Sequence, residues 1–221
     1  MLDNQTQLKY ELLDEYTKEK EHKLLTLILA LMFEFVNEVL FKNKFRIWHD
    51  YAKARDEFMV LLTDRVSVQV KTINQEMYLY IKKDFPQYAL DVSHKDSDSL
   101  GSIYVRNAII AIIILLDNLF ATYRFGDMSE DEFDKQLDSI LNDVNKKINV
   151  ATSNSVLKGR DNIIENLQIK NGFNKFMVLT MRDNRVRNSH RKQDGKVYSW
   201  DDPNRFRFSD PGCRCVAVGV K

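Results

Sequence analysis

The chain has 221 residues, 44% of them hydrophobic and 29% charged, with a formal net charge of +1. That composition excludes an intrinsically disordered protein and supplies enough apolar material for a real core. A balance this near neutrality also excludes a global field that would draw the protein onto nucleic acid or membrane, so any basic surface has to be local.

Breakers are unevenly placed: the first glycine is Gly101 and the first proline is Pro86. The early part can therefore sustain long helices. Residues 5–84 read as two or three of them, with Phe58, Leu62, Val66, Ile73, Met77 and Tyr80 keeping one apolar face at steps of three, four or seven. The Val66-Val68-Val70 alternation is also compatible with a strand; the helical period over the longer window favours helix. Met1 to Glu21 is charged and lacks the apolar core of a signal peptide. Two dense apolar runs, Leu24–Phe33 and Ala108–Leu116, are closed by Glu34 and Asp117. Both fall short of the roughly 20 residues that span a bilayer, and they read as buried core helices rather than a membrane span.

Residues 84–103 hold Pro86 and the polar run Ser93–Ser99 and read as a loop. The isoleucine-rich stretch 104–123 reads as an apolar helix, with a buried strand pair as the alternative. Residues 129–148 give the clearest helix. Ser129 and Glu132 form a capping box, and Phe133, Leu137, Ile140, Leu141, Val144 and Ile148 recur at three and four. A second helical stretch covers about 152–169. After Ser155 come five glycines and two prolines, so the last part is expected to consist of turns and short segments. Phe176–Met181 is strand-like, Asp194-Gly195 is a turn before Lys196–Trp200, and Cys215–Val220 closes the chain as a strand. The expected fold class is α+β: a mainly helical body over 1–170, and a small β-containing module over 171–221.

Cys213 and Cys215 are the two cysteines. A disulfide between residues i and i+2 is badly strained, which argues against an oxidising compartment. With His190 and Asp210 they offer one nitrogen, two sulfurs and one oxygen, a donor set that zinc accepts in tetrahedral geometry. The C-x-C spacing is tighter than the usual zinc C-x₂-C. The competing reading has both cysteines as small buried hydrophobes, His190 bonded to a carbonyl or to Asp194, and Arg214 reaching back toward Asp183.

Between Arg182 and Arg214 there are nine Lys/Arg against five Asp/Glu. Arg185, Arg187, Arg205, Arg207 and Arg214 are candidates for binding phosphate, DNA or an acidic protein face, because guanidinium forks oxyanions bidentately. If Arg185 and Arg187 lay on a strand, both would face one side of it. Asp183 pairing Arg185 or Arg187 is the structural alternative. Within Trp200–Phe208 the rings could stack bases, or the loop could pack on its own rings. His190 and Asp194 could serve as base and orienter, but no activated nucleophile, carboxylate cluster for Mg²⁺ or glycine-rich phosphate loop accompanies them.

The ordered set Asp183, Arg185, Arg187, His190, Asp194, Gly195, Cys213, Arg214 and Cys215 resembles the D-x-R-V-R-x-x-H, D/N-G, C-R-C signature of the Mu F-like phage head-morphogenesis family. The resemblance covers roughly the last fifth of the chain. It departs at Val178, where the family commonly has tryptophan, and at Asp210-Pro211-Gly212-Cys213, where it often has H-P-N-C. The resemblance implies a minor protein of a tailed-phage head, made in the host cytoplasm and incorporated into the procapsid near the portal. Its implied partners are portal, scaffold or major capsid protein, and its implied role is in assembly and DNA packaging or ejection by binding rather than catalysis. Within it, Asp183, Asp194 and Gly195 are expected to shape the motif. A head-carried toxin or nuclease effector using His190 and Asp194 is the alternative.

Overall fold

The computed structural model describes residues 4–36, 48–85, 95–124, 128–208, 210 and 213–221. Four long helices come first: α1 (Asn4–Phe35), α2 (Trp48–Asp84), α3 (Lys95–Arg124) and α4 (Glu130–Lys170). Then follow β1 (Lys175–Leu179), the short α5 (Asn188–Arg191), β2 (Val197–Ser199) and β3 (Val216–Val220). The strands form one antiparallel sheet of order β2-β1-β3, with Met177 opposite both Val197 and Val218. The α+β expectation of long helices followed by a small sheet holds.

Periodicity decides the helices. On α1 the buried positions run Tyr10, Leu13, Thr17, Leu24, Ile28, Leu31 and Phe35, and on α2 Phe58, Leu62, Val66, Val70, Ile73, Met77 and Ile81. Val68 stays exposed while Val66 and Val70 are buried, so the valine alternation is one turn of helix and no strand. Residues 37–47, between α1 and α2, lie outside the described residues.

Two boundaries differ from expectation. The polar segment read as a loop is helical from Lys95 onward, while Pro86 and Ser93 lie outside the described residues. The apolar stretch that follows packs into the bundle and carries the turn before it. Second, 129–148 and 152–169 are one helix of 41 residues. Its middle is polar but small: Ala151, Thr152, Ser153 and Ser155 are buried, and Ser153 Oγ donates to Glu21 on α1. Small side chains let another helix approach at the point where an apolar stripe is missing. Asp117 closes the apolar run but lies inside α3, as the helical reading of 104–123 requires. Tyr51 and Arg55 from α2 donate to its two carboxylate oxygens at 3.0 Å each. The segment Ile103–Tyr123 is thus long and apolar enough, by length and composition, to cross a membrane. In this fold Val105, Ile109, Ile112, Leu116 and Phe120 are buried within the bundle. The strand-pair alternative for 104–123 is not what forms.

The capping box at the start of α4 is present, with Ser129 N donating to Glu132 Oε2 at 3.0 Å and Glu132 N to Ser129 Oγ at 3.3 Å. From there α4 packs against the other three long helices and, near its end, against β3. A buried apolar cluster runs through helices and sheet alike.

Gly159 lies inside α4, where a break would be expected from glycine alone. A Cβ there would meet Asn74 Oδ1 of α2 at 2.2 Å, so the glycine serves close helix approach. Gly159→Ala should therefore destabilise the fold by about 1–3 kcal/mol through overpacking, although alanine is intrinsically the better helix former by about 1 kcal/mol. A denaturation midpoint equal to or above wild type would contradict this account.

Candidate functional site

The site is assembled from three loop ends. β1 runs into a turn over 180–187, α5 follows, and the chain returns much later through Cys213–Cys215 into β3. The stretch holding Arg185 and Arg187 is turn rather than strand, with Val186 buried between two exposed arginines. α5 presents His190 inward, and Phe206 meets its ring edge-on at a centroid distance of 5.1 Å.

Both sulfurs lie on one nitrogen of that ring. Cys213 Sγ and Cys215 Sγ are each 3.5 Å from His190 Nδ1, and all three residues are buried. The other nitrogen, Nε2, is 2.8 Å from Asp210 Oδ2. Asp210 also accepts from Arg187 Nη1 at 3.1 Å. Among the described residues, His190, Cys213 and Cys215 are the group able to hold a metal. Asp210, expected as a fourth ligand, sits instead on the far nitrogen, where a carboxylate orients the imidazole.

The two thiols are electrostatically unequal. The hydrogen bond from Cys215 holds the Cys213 thiol below its ordinary value, with burial opposing and the charge of Arg160 assisting. The same bond, together with burial, pushes Cys215 up. Arg160, on α4, is fully buried and donates to the Cys215 carbonyl at 3.0 Å and to Asp161 at 2.9 Å. Nothing in Lys158-Gly-Arg-Asp-Asn marks Arg160 as buried; its position follows from α4 passing beneath the sheet.

Asp194 is not the partner of His190. Its Oδ1 accepts from Thr180 N at 2.9 Å and Thr180 Oγ1 at 3.1 Å, and its Oδ2 accepts from Arg182 Nε at 2.9 Å. The base-and-orienter pairing of His190 with Asp194 is thus absent: Asp194 closes a loop. Gly195 supplies the turn with φ +77°, a conformation that costs a residue with a Cβ, and its N–H donates to the Val178 carbonyl at 2.8 Å.

Asp183 caps its own turn by accepting from Arg185 N at 3.0 Å, and also pairs with the Arg185 guanidinium at 3.1 Å. Its third partner is Arg214. Desolvation opposes ionisation of Asp183, but the bonds from Arg214 and Arg185 outweigh it and hold the carboxyl below its usual range. Arg214 continues to Asp14 on α1, with Nε and Nη2 each 2.8 Å from Asp14 Oδ2. Asp14 is 3% exposed at its side chain, and Lys18 reaches it as well at 2.7 Å.

Of the expected binding arginines, Arg214 is therefore committed inside the chain. So is Arg205, which donates to the Trp200 carbonyl and to Glu165 on α4, both at 2.8 Å, and lies over the Trp200 ring. Arg185 and Arg187 are exposed but ion-paired, and Arg207 is exposed. The aromatic run is not a stacking platform. Trp200 and Phe208 are buried against Phe176, at centroid distances of 4.1 and 5.7 Å, and Phe206 packs edge-on to Phe208 at 5.0 Å. Burial of three large rings stabilises a small sheet far more than exposure to an occasional base could.

Residues 128–218 match the family model described as Phage Mu protein F like protein. The resemblance carried by the C-terminal motif is borne out over those residues, which also take in the whole of α4. No curated protein and no solved structure matches the chain.

Arg214→Ala should cost about 3 kcal/mol, since it removes the bridge between Asp14 and Asp183 and leaves the buried Asp14 carboxylate with Lys18 alone. Arg214→Lys should recover little of this, because one ammonium cannot bridge two carboxylates as a fork does. A double-mutant cycle between Arg214→Ala and Asp14→Ala should show clear coupling by denaturant titration; additive effects would contradict the bridge. Asp183, whose carboxyl is depressed in the folded state, contributes stability that is present above its unfolded value and lost as pH falls through the folded one. Asp183→Asn should therefore flatten the acid limb of the stability profile, and an unchanged limb would exclude this contribution.

Proposed function

We propose that this chain is a minor structural protein of a tailed-phage head, incorporated into the procapsid near the portal and acting in head assembly and in DNA packaging and ejection by binding. The match of residues 128–218 to the Phage Mu protein F like family is the observation that carries the reading. The chemistry of the C-terminal region supports a binding role over a catalytic one. The nearest carboxylate to His190 is tied to Arg187, Asp194 holds a turn, and Arg205 and Arg214 fasten the module to α4 and α1. Such a module is a rigid piece presented to a partner. Portal, scaffold or major capsid protein are the partners of this reading, reached in the host cytoplasm while heads are built. The outward guanidiniums of Arg187, shared with Asp210, and Arg207 are the groups offered to an acidic protein face or to DNA.

The protein should copurify with heads that contain no DNA, because its place in the particle depends on protein contacts. Arg187→Glu combined with Arg207→Glu should lower its copy number in purified heads several-fold, judged against the major capsid protein, while the isolated variant unfolds like wild type. Heads assembled in the presence of the protein yet lacking it would overturn the structural role. Unchanged incorporation of the double variant would remove these arginines from the interface.

A further inference from the structure

We infer that His190, Cys213 and Cys215 bind one zinc ion through Nδ1 and the two Sγ atoms, that Asp210 orients the ligand ring from behind, and that the fourth coordination position is open. The argument begins with lone pairs. The imidazole tautomer that donates Nε2–H to Asp210 has a single lone pair on Nδ1, directed in the ring plane. Two sulfurs approach that one atom at 3.5 Å each. One S–H can use the lone pair, and Cys215 is also bonded to Cys213, yet both sulfurs converge on the one nitrogen. A cation placed among the three donors satisfies all of them at once. Zinc–sulfur and zinc–nitrogen bonds of roughly 2.3 and 2.0–2.1 Å at a tetrahedral angle set the S···N edge at about 3.5–3.6 Å. Both observed separations have that length, and the three donor atoms lie within 4.8 Å of one another.

The surroundings fit a metal rather than a buried thiol pair. Asp210 on Nε2 reproduces the carboxylate–histidine arrangement that fixes ring orientation and strengthens the ligand nitrogen. Two thiolates with one zinc ion are neutral, and the fully buried Arg160, bonded to the Cys215 carbonyl, adds positive charge where sulfur must become anionic. His190 and the two cysteines also line a cleft of about 250 Å³, together with Arg185, Arg187 and Arg214. Among the described residues no fourth His, Cys, Asp or Glu joins the group. The remaining position faces that cleft, where guanidiniums favour a water molecule or an anionic oxygen such as a carboxylate.

The test uses the full chain purified without chelator or acid. Elemental analysis should return one zinc per chain. The apo-protein, titrated with cobalt, should give the spectrum of a tetrahedral site with thiolate charge transfer, saturating at one equivalent. Asp210→Asn should keep that stoichiometry while weakening affinity about 10–100-fold, as for a group behind the ligand. Complete loss of the cobalt spectrum in a folded Asp210→Asn protein would instead make Asp210 a ligand and overturn the assignment. Acetate should shift the cobalt bands by entering the fourth position, and bands unmoved by excess acetate would overturn its openness. Cys213→Ser and Cys215→Ser should each abolish the charge-transfer bands; should either variant fail to fold, the wild-type titration still decides. Wild-type protein that carries no zinc and takes up no cobalt would overturn the site.

Discussion

The guanidinium of Arg214 lies between two carboxylates from distant parts of the chain, Asp14 on α1 and Asp183 in the turn before α5. Asp14 is almost completely removed from water, and a carboxylate in that position is tolerable only beside a cation. The segment that leads into β3 is therefore held to α1 by charge. The same bridge sets the chemistry next to it. On an extended segment, side chains two apart share a side and the one between them faces away. With Arg214 directed at the aspartates, Cys213 and Cys215 are directed together at His190. One orientation thus decides both the ionic clasp and the sulfur pair.

The long helix α4 is the platform on which this is built. β3 is an edge strand of a three-stranded sheet, and an edge leaves backbone groups in need of partners. Two carbonyls at that edge are taken by side chains of α4: Arg160 donates to Cys215 O at 3.0 Å, and Gln168 donates to Ala217 O at 2.8 Å. Burying those carbonyls without partners would cost more than either hydrogen bond contributes. The arrangement explains how a small sheet with little apolar area of its own remains attached and ordered. It also accounts for a buried arginine in a helix whose local sequence is polar.

Charge at the C-terminal end is largely spent on structure. Arg182 holds Asp194, Arg185 holds Asp183, Arg205 holds Glu165 and Arg214 holds Asp14. A local excess of basic residues in the sequence therefore overstates the basic surface available to a partner. What remains outward is a narrower set, with Arg187 shared with Asp210 and Arg207 exposed beside the aromatic loop. The consequence is specificity of position rather than a broad electrostatic field, as suits a protein of nearly zero net charge.

The sequence by itself determined the features whose free energy is local. The absence of early breakers allowed long helices, periodicity placed α2, and apolar content placed most of α3; Ser129 and Glu132 placed the start of α4; Asp194-Gly195 placed a turn; the closing run Cys215–Val220 placed β3. The nine motif residues were legible because their order along the chain is itself the signal, and the match over 128–218 agrees with it. Tertiary structure decided whatever depends on a partner far away. α4 continues through its polar middle because α1 lies against it, and Asp117 finds its partners in Tyr51 and Arg55 of α2. His190 found Asp210 rather than the nearer Asp194, and the rings after Trp200 turned inward onto Phe176. Asp14 and Arg160 gave no warning of their roles: their partners stand 200 and 55 positions away, respectively. Local propensities act within a turn or two of chain, whereas desolvation of a charge is settled by everything that packs around it. Only the folded chain brings those surroundings together.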